Sequence, residues 1–125
     1  MTAPIRILHL EDDPNDAELI ALQLERDKLF CRIRCVNSEK EFLIELEKGE
    51  FDVILADNTG PTFSGYIALM LAREKNPLIP FIIVSGAGDH KESAHVAQIG
   101  AAGYILKDRL SELAPCIRNA LLPPK

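Results

Sequence analysis

Apolar and polar positions along the chain fall into blocks, and four short apolar runs each stop at a polar residue. Ile5 to Leu10 runs into Glu11 and Asp12, and Phe51 to Ala56 runs into Asp57. Phe81 to Val84 runs into Ser85, and Ala102 to Leu106 runs into Lys107. Runs of this length, bounded by polar or turn residues, read as buried parallel strands. A fifth segment, Cys31 to Val36, alternates apolar residues with Arg32 and Arg34, the pattern of a wetter edge strand.

The intervening segments carry helix signals. Asp13-Pro14-Asn15-Asp16 reads as an N-cap, a proline at the first helical position and an acid in the first turn. Ala17, Ile20, Ala21 and Leu24 then share one face. Ser38-Glu39-Lys40-Glu41 is a capping box, and Gly49 closes that helix. Ser64 caps a third helix that ends before Pro77, with Met70 and Leu71 expected in or beside the core. Asp89-His90-Lys91-Glu92 starts a fourth, which Gly100 stops. Ser111 starts a fifth, with Pro115 in its first turn, where a missing N–H costs little. Five strands alternating with five helices predict an α/β fold: a three-layer sandwich around a five-stranded parallel sheet. At 125 residues this is one domain, residues 1–125, with a core from about 5 to 122.

Composition narrows the function classes. A net charge of −5 with no basic stripe argues against direct binding to nucleic acid or an anionic membrane. No apolar stretch approaches the roughly 20 residues of a membrane span. Three cysteines, an odd count, fit a reducing cytoplasm. Cys31 and Cys35 share a strand face but lie ~13 Å apart, too far for a disulfide, and are expected as small buried hydrophobes. His9 is expected to pack inside, and His90 and His95 to face solvent.

In an open parallel sheet the functional crevice lies at the carboxyl ends of the strands. Glu11, Asp12, Asp57, Ser85 and Lys107 would therefore gather along one edge. Two carboxylates 4 Å apart repel by ~4 kcal/mol at an effective dielectric of 20. A hard divalent cation removes that cost, and Mg²⁺ typically uses one or two carboxylates with phosphate oxygens and waters. A carboxylate can also act as a nucleophile toward phosphorus. A transferring phosphoryl group needs cations and donors aimed at its oxygens, which the metal, Lys107 and the Ser85 hydroxyl would supply. The inventory matches Mg²⁺-dependent phosphorylation of a carboxylate.

With these motifs the chain resembles the receiver domain of two-component response regulators, of the chemotaxis-regulator type, from Ile5 to about Leu122. The acidic pair Glu11-Asp12, the Asp57-Asn58-Thr59-Gly60-Pro61 segment with Gly65, Ser85-Gly86, and Tyr104-Ile105-Leu106-Lys107 carry the likeness. The resemblance implies a flavodoxin-like, doubly wound sheet of strand order 2-1-3-4-5. It implies Asp57 as phosphoacceptor, with a sensor histidine kinase or phosphotransfer protein as donor. Glu11, Asp12, Asp57 and the Thr59 backbone carbonyl would bind Mg²⁺ or Mn²⁺. Ser85 and Lys107 would contact the phosphoryl group, and Tyr104 matches the aromatic switch position, a role compatible with plain packing. Such a module is no enzyme beyond its own phosphorylation and dephosphorylation. It is cytoplasmic and acts through an effector that the residues do not name, with a phosphorylation-dependent dimer left open. The switch face is expected on the fourth helix, fifth strand and last helix.

The chain departs from the family's pattern in places. Glu11 stands where Asp is commoner, and Gly60 replaces an apolar residue. Asp108 follows Lys107 where many receivers have proline, so a cis bond is not expected there. The pair that directly follows the first strand is Glu11-Asp12, which leaves Asp13 as a cap, with a metal role for Asp13 still open. A metal-dependent phosphatase would need a second acid near Asp57, where Asn58 and Thr59 stand. A flavin-type phosphate loop would not carry Glu11-Asp12-Asp13. An inactive receiver used for contacts alone is a further alternative.

Overall fold

The computed structural model describes residues 3–57, 65–86 and 90–122, the last segment without the side chains of 90–93. The strands are β1 (Ile5–Leu10), β2 (Cys31–Val36), β3 (Val53–Asp57), β4 (Phe81–Ser85) and β5 (Gly103–Leu106). The helices are α1 (Pro14–Arg26), α2 (Glu39–Lys48), α3 (Gly65–Lys75), α4 (His90–Gln98) and α5 (Leu113–Ala120). All strand pairs are parallel and the order is β2-β1-β3-β4-β5. The sequence order of elements and the sheet order therefore agree with the expected doubly wound sandwich.

Side-chain alternation divides the core into two layers. Leu8, Leu10, Ile54, Ala56, Phe81 and Ile83 pack against α2, α3 and α4 through Phe42, Leu46, Leu69 and Val96. Ile7, Val53, Leu55, Ile82, Val84 and Ile105 pack against α1 and α5 through Ile20, Leu24, Leu113 and Ile117. The three central strands are covered on both faces, which explains their continuous apolar runs. At the rim, β2 keeps Arg32 and Arg34 exposed, in alternation with half-buried Cys31 and Ile33.

The cap signals act as expected where they are described. Asp13 accepts a hydrogen bond from the Asn15 amide at 2.9 Å, and Pro14 opens α1. Ser38 accepts from the Glu41 amide at 3.2 Å, and Gly49 closes α2 at φ 67°. Gly100 ends α4 at φ 107°, with the Ala101 amide donating to the Val96 carbonyl at 2.9 Å. The Ser64 and Asp89 caps lie outside the described residues.

Three expectations need correction. The last α-helix starts at Leu113 rather than Ser111, because a 3₁₀ turn occupies Lys107–Glu112. Pro115 has no N–H to return to the Ser111 carbonyl, so α-helical bonding starts later. Met70 is 64% exposed instead of in or beside the core, since Ala68, Leu69 and Ala72 form the buried side of α3. The cysteines are free, but none is fully buried: Cys31 and Cys116 are half-buried and Cys35 is exposed. Cys31 and Cys35 lie on the rim strand, which pairs on its outer side with no strand among the described residues. His9 is buried as expected. His95 is exposed, with its ring 5.5 Å from that of Tyr66.

Gly103 decides how closely α5 can approach the sheet. A Cβ built there would sit 2.4 Å from Cys116 Sγ. A cysteine has one rotatable bond with which to retreat, so Gly103→Ala is expected to cost ~1–3 kcal/mol, as overpacking does. Cys116→Ala in the same chain should restore most of the loss. Urea unfolding of the single and double variants checks this, and equal loss in both would rule out the contact as the cause.

Candidate functional site

The site grows from the register of the sheet. Leu10 pairs with Ala56, so Glu11 and Asp57, the residues that follow them, leave neighbouring strands side by side. Asp57 pairs with Val84 and Ser85 pairs with Leu106. Ser85 is thus one step beyond the level of Asp57, and Lys107 opens the 3₁₀ turn one step beyond Leu106. Glu11 and Asp57 are 3% and 5% exposed and Ser85 is fully buried, whereas Asp12 is exposed at the lip.

Lys107 reaches across this edge. Its Nζ lies 2.6 Å from Asp16 Oδ2, 3.3 Å from Glu11 Oε1 and 3.5 Å from Asp57 Oδ1. Burial opposes its charge, but the Asp16 hydrogen bond and the fields of Glu11 and Asp57 outweigh that and raise its pKa. Asp16 was read from the sequence as a first-turn acid with no part in the site. Its spacing puts it one turn before Ile20, on the inward face of α1, but spacing alone does not bring it to Lys107.

Glu11 is pushed up to about 7 by burial, then by the hydrogen bond it shares with Asp57 and by the Asp57 charge. Its Oε1 is buried with no hydrogen-bond donor and leans on the Lys107 ammonium. His9 is driven down to about 4, first by burial, so its ring is neutral at pH 7. Tyr104, on β5, is half-buried and packs against the layer that holds Val96 of α4. Thr59 lies outside the described residues.

Glu11, Asp12 and Asp57 each offer a carboxylate oxygen within 4.8 Å of the others. These are hard oxygen donors without imidazole or thiolate among them, the donor chemistry that suits Mg²⁺. One member, Glu11, carries a buried oxygen without a donor, and two are nearly closed off from water. The residues present therefore fit a small divalent cation.

The crowding has a pH signature in the cation-free protein. Folding raises the Glu11 pKa from 4.5 to about 7, so the folded state binds the extra proton between those values. The contribution of Glu11 to stability is complete below about pH 4.5 and is lost as the pH rises through 7. Glu11→Gln cannot ionise. Its stability relative to wild type is expected to improve steadily from pH 4.5 to 7 in chelator-containing buffer. Urea titrations across that window check it, and a flat difference would contradict the crowding.

The model of the response regulator receiver domain family matches residues 7–118. The chain belongs to that family. This receiver is 28% identical over 116 residues to the response regulator protein TodT of Pseudomonas putida, across 92% of this chain and 51% of TodT. It is 30% identical over 103 residues to the transcriptional regulatory protein CiaR of Streptococcus pneumoniae, across 82% of this chain and 45% of CiaR. The receiver spans about half the length of the curated relatives it matches. A response regulator receiver domain protein from Clostridium thermocellum superimposes with a TM-score of 0.82 at 26% identity, covering 94% of both chains. Among the described residues no helix is long and apolar enough to cross a membrane.

Proposed function

We propose that this receiver accepts a phosphoryl group on Asp57 from a phosphohistidine of a sensor kinase or phosphotransfer protein. The observation that carries the reading is a buried carboxylate set between a second acid and an ammonium, with Asp57 Oδ1 3.5 Å from Lys107 Nζ. An Asp57 oxygen attacks phosphorus; the O–P bond forms as the P–N bond breaks. The leaving imidazole nitrogen keeps the electron pair and takes a proton from solvent. Glu11, Asp12, Asp57 and the Thr59 carbonyl would hold a Mg²⁺ or Mn²⁺ ion, which would supply positive charge to offset that of the transferring group. Lys107 brings a second positive charge, and the Ser85 hydroxyl donates to a further oxygen.

Switching follows from what those groups are attached to. Phosphorylation replaces a carboxylate by a group with more charge and more acceptors. Ser85 ends β4 and Lys107 follows β5, so both strand ends are drawn toward the new group. Beside them, α4 is lightly anchored: of its side chains from Ala94 to Gln98, Val96 is the one buried. Weakly packed elements move first. The face made by α4, β5 and α5, with Tyr104 on it, then changes its partner affinity by a population shift. A net charge of −5 favours a protein as that partner, a second receiver included, over nucleic acid.

The test is intact mass after incubation with acetyl phosphate, with and without Mg²⁺. A gain of one phosphoryl group that depends on the cation supports the reading. No gain from acetyl phosphate or from a phosphohistidine donor would leave the domain as a contact module.

A further inference from the structure

The Lys107 ammonium has three acidic neighbours and does not treat them alike. It hydrogen-bonds Asp16 at 2.6 Å, the short distance of a charge-assisted bond. Asp57, at 3.5 Å, lies beyond normal N–H···O range. Asp16 comes from the first turn of α1, 91 positions away in the chain, so the pair also ties α1 to the end of β5.

We infer that Asp16 is a positioning residue that holds the Lys107 ammonium off Asp57 in the unphosphorylated receiver and thereby limits how far Asp57 fills. The inference rests on the reading of Asp57 as acceptor. A phosphoryl group on Asp57 presents three acceptor oxygens and more charge than the carboxylate it replaces. Lys107 bonds those oxygens by swinging away from Asp16. Asp16 thus favours the unphosphorylated state by the worth of a partly exposed ion pair, whose side chains are 19% and 30% exposed. That corresponds to a change of about two- to fivefold in the equilibrium.

Four proteins test it: wild type, Asp16→Asn, Asp16→Glu, and Glu18→Gln as a control that removes one charge from the exposed side of α1. Each is incubated with acetyl phosphate and Mg²⁺, and the ratio of phosphorylated to free protein at steady state is read by intact mass. The Lys107 side-chain ammonium is followed by ¹H–¹⁵N NMR in cation-free buffer. The expected result is a two- to fivefold higher ratio in Asp16→Asn, near wild-type ratios in Asp16→Glu and Glu18→Gln, and an ammonium signal moved in Asp16→Asn alone. Wild-type uptake with an unchanged Asp16→Asn ratio, or an unmoved ammonium signal, overturns the latch alone. A wild type that takes up no phosphoryl group overturns the reading of Asp57 and the competition with it.

Discussion

Asp57→Asn is expected to abolish the phosphoryl gain completely, at a saturating donor and Mg²⁺. The substitution keeps the shape of a side chain that is 5% exposed, so the strand end and its neighbours stay in place. What it removes is the charged oxygen that attacks phosphorus; an amide is a far poorer nucleophile. Lys107 keeps Asp16 and Glu11 as partners, so the ammonium is not left unpaired. Thermal unfolding should therefore remain cooperative while the added mass vanishes. Persistence of the gain would move the acceptor to one of the two other clustered acids, and peptide mapping would tell which.

Asp12→Ala is expected to weaken Mg²⁺ binding by at least about tenfold, since loss even of a group that supports a ligand costs 10- to 100-fold. Asp12 is the exposed member of the trio, at the lip where a hydrated cation would arrive, whereas Glu11 and Asp57 are closed in behind it. The same change removes one of three crowded negative charges, so the cation-free protein should lose no stability and Mg²⁺ should raise its melting temperature less than in wild type. Isothermal titration with Mg²⁺ and paired melting curves check both halves. Unchanged affinity would place the cation elsewhere.

The fold could be read from the residues because several levels agree. Runs of four to six apolar residues are too short for helices, and the polar residue that stops each run marks the same end of its strand. Asp13, Ser38 and Gly49 mark helix ends by chemistry that works locally, without help from the rest of the chain. At the end of α1, Lys28 takes the left-handed conformation that glycine usually supplies, at φ 58°, so no residue type announced the stop. The nearly apolar α3 carries little periodicity, and Met70 could not be assigned to a face from its type alone. Within the site, Glu11, Asp12, Asp57 and Lys107 were visible as strand-end residues. Asp16 belongs to a helix, and its approach to Lys107 depends on how α1 lies across the sheet, which spacing along the chain does not encode.

The rim strand β2 bears on how this protein behaves in concentrated solution. Its outer row of backbone donors and acceptors pairs with no strand among the described residues, and half-buried Cys31 and Ile33 lie along it. Such a border invites a second copy to extend the sheet sideways. In an antiparallel approach centred on Ile33, Arg32 of each copy would meet Arg34 of the other, so like charges oppose the docking. That protection is electrostatic, and added salt screens it. The molecule's colloidal behaviour should thus depend on ionic strength through two arginines on the rim strand next to β1.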